Sequence, residues 1–103
     1  MSESRPRILA FKSPSCSPCR ALAPILEALA DRYAGQVDLE LIDTWEKPEV
    51  AAYYHVTSVP TLLGLVGDQV VQQQVGYAGA DRVEALFARL AWQSESTIRV
   101  ENT

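Results

Sequence analysis

Residues Arg7 to Gly35 read RILAFKSPSCSPCRALAPILEALADRYAG, and three patterns meet in them. Arg7 to Lys12 is a short β-rich run ending in Ser13-Pro14-Ser15, a strand followed by a loop. Leu22, Ile25, Leu26, Leu29 and Tyr33 recur at i, i+3, i+4 and i+7, the spacing of an amphipathic helix, which Gly35 closes. Between strand and helix stand Cys16 and Cys19, the two cysteines of the chain, separated by Ser17 and Pro18. Pro24 lies inside the helix, where it removes a backbone donor and predicts a kink.

The rest of the chain extends this unit. Val37 to Asp43, VDLELID, alternates as a strand does, and a right-handed crossover lays it parallel to the first. WEKPEVAAYYHV predicts a second, shorter helix with Pro48 near its start. TLLGLV and QVVQQQV flank Gly67-Asp68, a dipeptide suited to a tight hairpin turn. After Gly76 and Gly79, Asp81 stands three residues before Glu84 as a capping box. Val83, Leu86, Phe87 and Leu90 then carry a last helix to about Trp92. The predicted order is βαβαββα in one domain, residues 1–93. The tail, residues 94–103, is expected to be disordered or, through STIRVE around Ile98 and Val100, an edge strand.

Composition narrows the function. A chain of 103 residues, 48% apolar and 21% charged, suits one globular domain with its own core. The formal net charge of -4, with few lysines, gives no basic stripe to neutralise phosphates, so nucleic acid is not expected as a partner. Neither the start of the chain nor its most apolar run, TLLGLVG, resembles a signal peptide or a membrane span, and a soluble, cytoplasmic protein with no membrane partner is the expectation. In a reducing compartment, two cysteines at this spacing are more often catalytic or metal-binding than a structural staple.

What the pair can do follows from its place at a helix start. The dipole and the unpaired N–H groups of the first turn favour a thiolate at Cys16 and lower its pKa from the ordinary thiol value. One turn on, Cys19 lies within reach of a mixed disulfide formed by Cys16 and can resolve it. Pro18 fits a first-turn position, where its missing N–H costs little. Two other readings stay open on spacing alone. Two inert cysteines are one. Half of a zinc site is the other, although two cysteines and the lone His55 cannot supply four ligands unless the chain dimerises, so neither metal nor cofactor is expected.

The joint pattern resembles the thioredoxin family from about Arg7 to Trp92: a strand, CxPC, APILEALADRY with its internal Pro24, a strand ending at Asp43, Ser58-Val59-Pro60-Thr61, a hairpin, and Gly76 ahead of the last helix. The resemblance implies a minimal thioredoxin-like α/β fold, a four-stranded mixed sheet with three helices, lacking the strand and helix with which thioredoxins usually begin. It implies a thiol-disulfide oxidoreductase in which Cys16 attacks and Cys19 resolves. Ser17, Pro18, Val59, a cis Pro60 and Gly76 would then form the substrate-binding surface. The implied partners are disulfide-containing proteins and a disulfide reductase that recycles the pair.

Departures from the family qualify this expectation. Ser15 and Ser17 stand where tryptophan and glycine often flank the first cysteine; Ala10 stands at the buried aspartate of the family, and Leu39 at a nearby lysine. No carboxylate base is expected beside Cys19, and exchange should be slow near neutral pH. These losses motivate a rival reading, a redox-inactive interaction module that uses the groove alone. Trp45, Tyr53 and Tyr54 read as packing residues of the second helix, and His55 as a solvated helix end.

Overall fold

The run RILAFK forms β1 (Arg7–Lys12), and its four central residues are buried whichever way they point, so this strand must be covered on both faces. The computed structural model describes the backbone of residues 5–101 and the side chains of residues 5–92. After β1 come α1 (Ser17–Arg32), β2 (Asp38–Asp43), α2 (Pro48–Tyr53), β3 (Thr61–Val66), β4 (Gln69–Val75) and α3 (Ala80–Glu101). This is the expected βαβαββα order. The sheet runs β2-β1-β3-β4, with β1 parallel to β2, antiparallel to β3, and β3 antiparallel to β4.

Alternation along the central strands sorts the core into two layers. Ile8, Ala10 and Leu62 face Leu22, Leu26 and Leu29 of α1 and Val83, Leu86, Phe87 and Leu90 of α3. Leu9, Phe11, Ile42, Leu63 and Leu65 face the other way, onto Ala51 of α2. α1 runs unbroken through Pro24, and Gly35 follows it at φ +86°. Among the described residues no helix is long and apolar enough to cross a membrane.

Gly64 sets how closely α3 approaches the sheet. A Cβ there would stand 3.0 Å from Leu90 Cδ1 and 3.1 Å from Gln72 Cβ. The Leu90 side chain is fully buried and has no free space to retreat into. We expect Gly64→Val to destabilise the fold by about 1–3 kcal/mol through overpacking. A urea titration would read this as a lower midpoint with an unchanged slope; an unchanged midpoint would show that α3 yields freely.

Two sequence expectations need correction. α3 does not stop near Trp92 but continues to Glu101, so residues 96–101 are helical and not an edge strand on β2. No glycine or proline interrupts the chain after Trp92, and adding a turn to an existing helix costs far less than starting one. Residues 102–103 of the tail, like residues 1–4, lie outside the described residues. The capping box is also absent as drawn. α3 begins at Ala80, which places Asp81 inside the first turn, while Glu84 Oε2 accepts a hydrogen bond from Arg32 Nη1 of α1 at 2.6 Å. His55 is the solvated helix end the sequence suggests, exposed just past α2. It holds φ +59°, the left-handed backbone that turns the chain out of α2 toward Val56, whose N–H bonds the Ala51 carbonyl.

Candidate active site

The cysteines sit where β1 ends and α1 begins, at the edge of the parallel β1/β2 pair. Cys16 is the N-cap of α1, extended at φ -101° and ψ 107°, and its Sγ accepts the Cys19 N–H at 3.1 Å. That contact satisfies one of the orphan donors of the first turn with sulfur in the place of a capping oxygen. Cys16 and Cys19 are joined as a disulfide, with Cα atoms 5.2 Å apart. Both residues are 7% exposed. Ser17 and Pro18 open the helix and are exposed, and the first turn contains no acidic residue to oppose negative charge on Cys16.

Arg20 braces this turn from outside. Its Nη1 donates to the Pro14 carbonyl at 3.3 Å and its Nη2 to Ser17 Oγ at 3.2 Å. The guanidinium thus spans the loop on either side of Cys16, a role that sequence spacing alone did not suggest.

The antiparallel pairing of β1 with β3 brings residues 58–61 to the cysteines. The Val59-Pro60 peptide is cis, and Pro60 lines a groove of about 330 Å³ together with Ala10, Cys19, Leu22, Leu39 and Leu41. Gly76 N–H donates to the Pro60 carbonyl at 2.8 Å, which seats Gly76 against the same segment at φ +85°. Thr61 Oγ1 donates to the Ser58 carbonyl at 2.8 Å and closes the turn below. Among the described residues, neither the N–H nor the carbonyl of Val59 has a hydrogen-bond partner. A half-buried backbone with open valences next to a cysteine pair is a place where another extended chain can pair.

Ala10 and Leu39 lie where the sequence comparison put them, both lining the groove with Cys19. Ala10 is 3% exposed. The charged residues on the groove are Lys12, Arg20 and Glu27, of which Glu27 is exposed on the outer face of α1. Cys19 therefore looks onto an apolar wall with its carboxylate at the rim.

Comparison with known proteins fits this geometry. The family model described as Thioredoxin matches residues 1–91. The chain is 33% identical to a thioredoxin of Alicyclobacillus acidocaldarius subsp. acidocaldarius over 82% of its own length and 80% of that protein. It is 40% identical to a thioredoxin of Staphylococcus aureus over 73% of its length and 72% of that protein. The chain belongs to the thioredoxin family. Among solved structures, a mutant thioredoxin from Halobacterium salinarum NRC-1 superposes with a TM-score of 0.78 at 28% identity, over 87% of this chain and 78% of that one.

Thioredoxin-family membership and a disulfide-forming CxxC pair make this chain a thiol-disulfide oxidoreductase, which displaces the reading of an idle cysteine pair in an interaction module. The family acts on disulfide-containing proteins and is recycled by a reductase. One side chain near the site was misread from sequence. Trp45 is not buried against α2 but stands 64% exposed, lining a cleft with Ala51 of α2 and with Ser13, Ser58 and Val59. The signal was local: Asp43 precedes Trp45 by two residues, and its Oδ1 accepts the Trp45 N–H at 2.8 Å in a tight turn.

Proposed function

We propose that Cys16 is the attacking thiolate, Cys19 the resolving thiol, and that Ser17, Pro18, Val59, Pro60 and Gly76 hold an extended segment of a protein substrate across them, within a functional unit of residues 1–93. The observation that carries this reading is that Pro60, whose cis peptide follows the unpaired Val59 backbone, lines one groove with Cys19, the disulfide partner of Cys16. In the reduced protein, Cys16 Sγ attacks one sulfur of the substrate disulfide. A Cys16–substrate disulfide forms, the substrate S–S bond breaks, and the departing thiolate takes up a proton. Cys19 then loses its proton and attacks Cys16 Sγ, which closes the internal disulfide and releases the second substrate thiol. Two electrons have passed to the substrate, and a disulfide reductase supplies two more, with two protons, to restore the dithiol.

Backbone pairing at Val59 gives affinity without demanding a sequence, which suits a protein acting on many disulfides. We assign its work to the cytoplasm, where thiols are held reduced and a recycled dithiol has a continuous role.

A Cys19→Ser variant tests the assignment of roles. It should react once with a protein disulfide and stop at a stable mixed disulfide, visible as a covalent adduct by mass spectrometry and released by dithiothreitol. An adduct that clears as fast as in the wild type would show that Cys19 is not the resolving group.

A further inference from the structure

We infer that Trp45 determines substrate preference, forming an aromatic wall of the cleft beside Val59 that receives a side chain near the substrate's reactive cysteine. The inference rests on the assignment of Cys16 and Val59 just made. The residues flanking Cys16 offer no aromatic surface to grip a peptide, because Ser15 and Ser17 are small, polar and exposed. Trp45 offers what they lack. Its indole lines a cleft of about 190 Å³ with Ser13, Thr44, Ser58 and Val59, the last of these being the residue whose backbone is open for pairing.

The loop that carries Trp45 is built to hold it there. Asp43 Oδ1 accepts the N–H groups of Trp45 at 2.8 Å and of Glu46 at 3.3 Å. Thr44 donates twice to the Lys12 carbonyl, from its N–H at 2.9 Å and from Oγ1 at 3.1 Å, which ties this loop to the end of β1 just before the cysteines. A large aromatic surface left 64% exposed on a braced loop loses little conformational freedom on binding, which is the condition under which an aromatic anchor contributes most. A peptide paired along Val59 projects alternate side chains to opposite sides. One of them meets the indole, so the occupant is an extended segment with an apolar or aromatic residue next to its disulfide cysteine.

Steady-state reduction of insulin separates this role from a structural one. Trp45→Ala should raise KM about fivefold to thirtyfold, the range typical of a lost aromatic anchor, while kcat moves less than about twofold. Trp45→Phe should recover most of the loss. A second readout keeps Trp45 in place. The chain has two tryptophans, so a Trp92→Phe, Cys19→Ser protein has Trp45 as its sole indole. Trapping Cys16 as a mixed disulfide with a ten-residue peptide bearing phenylalanine beside its cysteine should shift Trp45 emission to the blue and lower its quenching by acrylamide. Trapping with 2-mercaptoethanol should do neither.

An unchanged KM for Trp45→Ala, a fall in kcat alone, or identical emission in the two adducts would overturn the inference. The underlying chemistry is checked separately with the wild type and hydroxyethyl disulfide. If neither that compound nor insulin is reduced, the cysteine assignment falls and the role of Trp45 with it. If both are reduced and Trp45→Ala matches the wild type, only the role of Trp45 falls.

Discussion

A Cys16→Ser variant should lose insulin-disulfide reduction by on the order of 10³-fold or more. The hydroxyl is not ionised near neutral pH, and its attack on sulfur gives no stable product, so the first exchange cannot proceed. Cys19 cannot take over, because it faces the apolar groove with Leu22, Leu39 and Leu41 and not the exposed Ser17-Pro18 turn. The fold should not suffer with it. Serine is a preferred N-cap, and its oxygen can accept the Cys19 N–H that the Cys16 sulfur accepts now. Thermal melts of the variant and of the reduced wild type should therefore agree within a few degrees. Retained turnover in this variant would remove Cys16 from the mechanism altogether.

Ala10→Asp should have opposite effects on rate and stability. Resolution requires a proton to leave Cys19, and burial among Ala10, Leu22, Leu39 and Leu41 disfavours the thiolate there. Wild-type turnover should thus climb steeply with pH above neutrality. A carboxylate at position 10 would take that proton, flatten the profile and raise the rate at pH 7 on the order of 10-fold to 10²-fold. The groove has room for the added atoms, so the cost is one of desolvation and not of crowding, about 2–4 kcal/mol at neutral pH.

Its pH dependence has a definite sign. Burial raises the introduced carboxyl's pKa above its unfolded value, so between the two values the native state holds a proton that the unfolded chain has released. The part of the variant's deficit that comes from ionisation is then absent below about pH 4 and grows as pH rises toward the native pKa, levelling off above it. Urea titrations of both proteins at pH 4 and pH 8 would measure it. A deficit that shrinks as pH rises would mean that a cation such as Lys12 pairs with the new group and that the apolar wall does not control the site.

Much of this site was legible one segment at a time. The 3.6-residue recurrence of Leu22, Leu26 and Leu29 placed a helix after the cysteines, and the observed α1 buries those three residues together with Cys19. Pro48 at a helix start and the turn at Gly67-Asp68 were equally local signals, since each residue restricts its own backbone. The end of α3 was not legible. The weak alternation around Ile98 and Val100 suits a strand as well as it does one turn of helix, and only the preceding helix decides between them. Trp45 was misread for a related reason: its neighbours Asp43, Thr44, Glu46 and Lys47 mark a turn, but whether an aromatic residue on that turn folds inward is decided by packing.

The amino-acid sequence by itself determined the reactive unit: two sulfurs one turn apart at the start of a helix. These are properties of neighbours along the chain, set by spacing and backbone preference. Only the tertiary structure decided what surrounds them. Pro60 reaches Cys19 because β1 pairs with β3, Gly76 is held to that segment because its N–H binds the Pro60 carbonyl, and Trp45 stands beside Val59 on a loop that Thr44 ties to Lys12. Contacts between residues so far apart in the chain arise from packing and pairing that no local period encodes.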